Sequence, residues 1–122
     1  MECELILFFD HGRTPLLSFD PTHFGLGASL ANVSYNTDEV LVVLRQLLPT
    51  VNDQRTQAAR IELMTIFFGA NDASNSTKAV PLDRFQSNLV AMIKMIRDLT
   101  SVYYNPTLRL LLITPPPLNE TL

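Results

Sequence analysis

Ile66-Phe67-Phe68-Gly69-Ala70-Asn71-Asp72 carries an apolar run, rich in strand formers, into a glycine and then an Asn-Asp pair. The run reads as a buried strand that ends at Gly69. In an α/β sheet, ligands bind in the crevice beyond the carboxyl ends of the strands. An asparagine there can aim its side-chain amide at developing negative charge, as an oxyanion hole requires. Asn71 is therefore the first candidate site residue, with Gly69 and Asp72 beside it as candidate substrate contacts. The plainer alternative is that Asn71 and Asp72 cap the turn, as these residues often do.

Two other apolar runs frame this stretch. Leu5-Ile6-Leu7-Phe8-Phe9 lies upstream. Leu108-Arg109-Leu110-Leu111-Leu112-Ile113-Thr114 lies downstream and is stopped by Pro115-Pro116-Pro117, since proline cannot donate to a strand ladder. Phe24 to Leu30 reads as a weak helix, interrupted by Gly25 and Gly27. Asn36-Thr37-Asp38-Glu39 opens a stronger one: Asn36 can cap it, and Glu39 can reach back as in a capping box. Val40, Leu41, Val43, Leu44, Leu47 and Leu48 give that helix an apolar face, and Pro49 stops it. Thr50 to Arg60 reads as a polar connection, Ile61 to Phe68 as the second strand, and Gly69 to Leu82 as a long polar loop. Asp83 and Gln86 suggest another capping box. Phe85, Leu89, Met92, Ile93 and Ile96 then recur at helical spacing to about Leu99. Met92 and Met95 read as core-packing residues. The order is strand, helix, strand, helix, strand, with nearly all-apolar strands. It predicts an α/β fold with a parallel sheet and right-handed crossovers. With no internal repeat or linker, residues 1–122 read as one domain.

Composition narrows the function classes. Hydrophobic residues make up 47 % and charged residues 17 %, a globular balance rather than a disordered one. The net charge is −3 and no basic stripe is present, which argues against nucleic acid as a partner. Cys3 is the single cysteine, so neither an intrachain disulfide nor a thiolate zinc cluster is expected. His11, His23, Asp10 and Asp20 fit no standard zinc spacing; neither metal nor cofactor is expected. No run reaches membrane-spanning length. Leu5 to Phe9 follows Glu2 and Glu4 and is too short for a secretory leader, so a cytoplasmic location is expected. The glycosylation patterns at Asn32, Asn75 and Asn119 are accordingly read as chance.

These stretches resemble the SGNH (GDSL-type) hydrolases, and within them the isoamyl acetate-hydrolysing esterase branch. Phe67-Phe68-Gly69-Ala70-Asn71-Asp72-Ala73 is similar to the family's third block, Gly-x-Asn-Asp. Ile113-Thr114-Pro115-Pro116-Pro117 resembles the strand end that follows it in this branch. Phe24 to Leu30, Tyr35-Asn36-Thr37 and Val43 to Pro49 resemble the first two helices and their lead-in. The resemblance implies a flavodoxin-like three-layer α/β/α fold and hydrolysis of short-chain carboxylic esters such as acetates. A serine nucleophile, a His–Asp pair and three oxyanion donors would do the work, and Asn71 matches the Asn donor.

The departures bear on activity. Where the family reads Phe-Gly-Asp-Ser, this chain reads Phe8-Phe9-Asp10-His11. His11 thus occupies the nucleophile position beside a retained Asp10, and both join Asn71 as candidate catalytic residues. Neighbours on an extended segment point oppositely, which makes Asp10 and His11 a poor dyad, and His11 alone reads as a solvated loop histidine. Leu30 to Ser34 runs almost directly into Tyr35, so the family's second strand and oxyanion glycine are expected to be missing. No Asp-x-x-His block follows before Leu122, and Asp20-Pro21-Thr22-His23 sits in the wrong place to replace it. Ser74 and Ser76 have no base partner in view. The family's five-stranded sheet, in the order 2-1-3-4-5, should then shrink to about three strands. Leu5–Phe9 and Leu108–Ile113 would become exposed edges prone to self-association. The reading is an esterase-like chain with impaired catalysis, a small ester being its only other expected partner. The alternatives are a non-catalytic interaction module using the crevice or the strand edges, and a live hydrolase centred on His11 and Asn71.

Overall fold

A computed structural model describes residues 4–10, 24–29, 35–56 and 60–115. Its elements run β1 (Glu4–Asp10), β2 (Phe24–Ser29), α1 (Thr37–Leu47), α2 (Val51–Thr56), β3 (Arg60–Phe67), α3 (Leu82–Arg97) and β4 (Arg109–Leu112). The fold is α/β, with a four-stranded sheet ordered β2-β1-β3-β4. The β3-α3-β4 unit is parallel, with Leu63 beside Arg109 and Ile66 beside Leu112.

The first half of the sheet departs from the sequence expectation. Phe24–Ser29 is a strand, not a helix, and it pairs antiparallel with β1. Phe24, Leu26 and Ala28 alternate with Gly25, Gly27 and Ser29, a period of two that suits a strand; the glycines that interrupt a helix fall on every second position. The helical crossover therefore joins β2 to β3, and β1 lies between them running against both. Among the described residues the sheet is mixed rather than all parallel, with four strands where about three are expected. Its described edges are β2 and β4, so β1 is not an edge. Gly27 is skipped in the β1–β2 register and Glu62 in the β1–β3 register, each as a bulge. A bulge admits one extra residue and kinks its strand.

The helices also refine the reading. Asn36 and Glu39 form the expected capping box on α1, each side chain bonding the other's backbone N–H at 3.0 Å. The stretch after Pro49 holds the short helix α2, opened by a reciprocal Thr50–Asp53 pair. Asp83 and Gln86 do not cap α3. That helix begins at Leu82 after Pro81 with no side-chain cap, and stops at Arg97. α1 and α3 pack on one another, and Val40, Leu44, Met92 and Ile96 share a core with Met64, Ile66 and Leu108 of the sheet side. Each such side chain, when fully buried, contributes about 1.5–3 kcal/mol relative to exposure. Met92 lies in that core and Met95 against it. β4 is different: Leu111, Leu112 and the adjoining Ile113 are 48 %, 44 % and 43 % exposed. Successive strand residues face opposite sides, so both faces of this edge are open.

Candidate active site

The chain leaves β3 through buried Phe68 and turns at Gly69, whose φ is +125°. A Cβ there would stand 2.9 Å from Pro115 Cγ and 3.3 Å from Phe85 Cζ. Only glycine meets both demands, an unusual backbone conformation and a close approach. The turn then closes on itself. Ala73 N–H donates to the Gly69 carbonyl at 2.9 Å, and the Ser74 hydroxyl donates to the Asn71 carbonyl at 2.7 Å. Val80 N–H donates to the Asp72 carbonyl at 2.9 Å and closes the loop.

Asn71 and Asp72 face the start of α1. The Asn71 amide donates to the Tyr35 carbonyl at 2.9 Å, which fixes the plane of the amide. Asp72 is 5 % exposed. It accepts from Thr37 N–H at 3.1 and 3.3 Å and from the Thr37 hydroxyl. Thr37 is the first residue of α1, so the carboxylate sits where the helix dipole favours negative charge. Asn88 of α3 donates to Thr37 Oγ1 at 2.9 Å and to Asp38 Oδ1 at 2.8 Å. Arg84 adds an ion pair to Asp38 at 2.6 Å.

A second clasp lies nearer the surface. Lys78 pairs with Glu39, and Asn36 Nδ2 donates to the Lys78 carbonyl at 3.0 Å. The bonded Lys78 ammonium, then the Asn36 backbone N–H, hold the Glu39 carboxyl below its ordinary range. A depressed folded pKa gives stability that is present above the unfolded value, about 4.3, and lost as pH falls through the folded one. Acid titration below about pH 4.3 is therefore expected to loosen the α1 cap and the loop together. Glu39→Gln should flatten that part of the stability profile, and an unchanged profile would contradict the assignment.

Gly69, Asp72, Ala73, Val80, Leu82, Phe85 and Pro115 line a largely apolar cleft of about 340 Å³. It lies beyond the carboxyl ends of β3 and β4, where the sheet topology puts ligand crevices. Asn71 is not among its lining residues; it sits one position away, on the side of the loop that meets α1.

Of the residues singled out from sequence, Gly69, Asn71 and Asp72 come together. Asp10 does not join them. It pairs with Arg60, whereas Phe67 at the other end of β3 pairs with Glu4. At roughly 3.3 Å per residue, β3 puts ~23 Å between those ends. His11 lies outside the described residues. Asp72, expected as a substrate contact, directs its carboxylate into the protein and holds the loop. Thr37, Lys78 and Asn88 were not singled out, though Asn88 left a signal. It falls on the stripe Phe85, Asn88, Met92, Ile96, a polar residue on the core-facing side of α3. Among the described residues no group of three or more His, Cys, Asp or Glu is placed to hold a metal ion. No described helix is long and apolar enough to cross a membrane.

The family model described as GDSL-like Lipase/Acylhydrolase matches residues 11–122. The chain belongs to that family. Among its curated relatives, an isoamyl acetate-hydrolyzing esterase 1 homolog of Bos taurus is 35 % identical, covering 79 % of this chain and 42 % of the relative. The protein of that name in Homo sapiens is 31 % identical, covering 96 % of this chain and 49 % of the relative. A GDSL esterase/lipase of Arabidopsis thaliana is 29 % identical over 79 % of this chain and 44 % of its own length. The GDSL chain described here thus sits with the isoamyl acetate-hydrolysing esterase branch and spans under half the length of these relatives. No solved structure matches it. The family match begins at His11, so β1 lies outside it.

Proposed function

We propose that this GDSL-family chain is an esterase-like protein that keeps the oxyanion asparagine and an acyl-sized cleft but turns over short-chain carboxylic esters poorly. The reversed β1 carries this reading. Attacker, base and oxyanion donors must converge within hydrogen-bond reach of one reacting carbonyl. Asp10 lies at the opposite end of the sheet from Asn71, where it cannot orient a base toward an ester held by the Asn71 amide. The sequence adds a histidine in place of the nucleophilic serine and a phenylalanine in place of the glycine before Asp10. Losing a triad member leaves about 10³–10⁴-fold acceleration over water when the oxyanion hole is intact. Each lost donor removes about 10²–10³ more, enough to reach the background. Hydrolysis of p-nitrophenyl acetate is therefore expected at the rate of free imidazole and unchanged by Asn71→Ala. A faster rate that falls about 10²-fold or more in Asn71→Ala would restore the live-hydrolase reading.

The open β4 edge favours a second reading, in which the chain acts as an interaction module. Exposed apolar edges invite pairing with another chain. Size-exclusion chromatography is expected to show an apparent mass that rises with concentration. A monomer at every concentration would count against it.

A further inference from the structure

We propose that Asn88, acting through Thr37 and Asp72, is the positioning residue that fixes where the Asn71 amide points. The proposal deepens the oxyanion role given to Asn71 above and rests on that reading. The direction of every proton in this chain of bonds is determined. Asp38 Oδ1 can only accept, so the Asn88 atom facing it at 2.8 Å is the amide nitrogen, and the same nitrogen donates to Thr37 Oγ1 at 2.9 Å. The Thr37 hydroxyl has one hydrogen. Because it accepts from Asn88, that hydrogen is directed to the Asp72 carboxylate, which accepts it. Asn88, Thr37 and Asp72 are 8 %, 0 % and 5 % exposed, so water does not compete for these bonds.

The link to Asn71 is equally short. Asn71 precedes Asp72, and its amide donates to the carbonyl of Tyr35, two residues before Thr37. The segment 35–37 therefore grips both members of the Asn-Asp pair, one through its carbonyl and one through its hydroxyl and N–H. Asn88 is the α3 side chain that bonds Thr37. Moving Thr37 moves Tyr35 with it, and the acceptor that orients the Asn71 amide shifts.

The test reads the amide itself and needs no turnover. The side-chain ¹⁵NH₂ resonances and hydrogen exchange of Asn71 are followed in Asn88→Leu, Thr37→Val and Thr37→Ser, with Ile96→Val as a packing control on the same helix. Asn88→Leu and Thr37→Val are expected to shift the Asn71 resonances and speed exchange about tenfold, the scale of one lost hydrogen bond. Thr37→Ser keeps the hydroxyl and should retain the native signals, while Ile96→Val lowers stability without moving them. If Asn88→Leu does not fold, Thr37→Val interrupts the same path. Unmoved Asn71 signals in the folded variants, or equal movement in Ile96→Val, would overturn the proposal. An ester assay that contradicts the impaired-turnover reading leaves this result intact, so the two can fail separately.

Discussion

Asp72→Ala is expected to lower the unfolding free energy by about 2–4 kcal/mol, the sum of an N-terminal helix partner lost and a buried hydroxyl left without its acceptor. The carboxylate is buried and takes both the N–H and the hydroxyl of Thr37. Removing it leaves those donors in a place water does not reach. For a domain of this size the melting temperature should drop by roughly 10 °C or more. Asp72→Asn keeps one oxygen acceptor and should lose about half as much. Lys78→Met removes the half-exposed partner of Glu39 and should cost about 0–1 kcal/mol, since exposed pairs contribute little. The order of the three variants decides the point. An Asp72→Ala protein as stable as Lys78→Met would mean that the carboxylate does not hold the loop.

Gly69→Ala should cost about 2–4 kcal/mol for two separable reasons. The backbone at φ +125° disfavours any side chain by about 1–3 kcal/mol. The new Cβ would also meet Pro115 Cγ at 2.9 Å, an overpacking of similar size. Adding Pro115→Ala removes that contact and leaves the dihedral strain and the looser approach to Phe85. The double variant should therefore recover part of the loss, and a double-mutant cycle measures how much. A neutral Gly69→Ala, read from the denaturant midpoint, would show that the turn does not take this shape. Because Gly69 and Pro115 line the cleft, the same variants narrow and reopen it.

What the sequence made legible was what local rules control. The α1 capping box follows from Asn36 and Glu39 alone, and the run ending at Gly69 marks both a strand and its turn. The β3-α3-β4 unit follows from apolar runs separated by a helical stripe. The orientation of β1 was not legible. It depends on whether residues 24–29 join the sheet or cross over it, and Gly25 and Gly27 suit either an interrupted helix or every second residue of a strand. With residues 24–29 in the sheet, β1 runs against its neighbours and Asp10 lies at the far end from Asn71. The site divides in the same way. Gly69 and Asn71 stand out from motif spacing, but Tyr35, whose carbonyl takes the Asn71 amide, and the bonded pair Thr37 and Asn88 lie far along the chain and meet only in the fold. Asp72 reads as a ligand contact in sequence because burial of its carboxylate by α1 is a tertiary fact.

The proposed function gives Asn71 an oxyanion role with no activated serine to serve. Fluorophosphonate esters test this directly, because they phosphonylate a serine only where a base and an oxyanion hole activate it. Intact mass after incubation is expected to be unmodified, in the wild type and in Asn71→Ala alike. A single stoichiometric adduct on one serine, abolished by Asn71→Ala, would contradict the account and identify a working nucleophile.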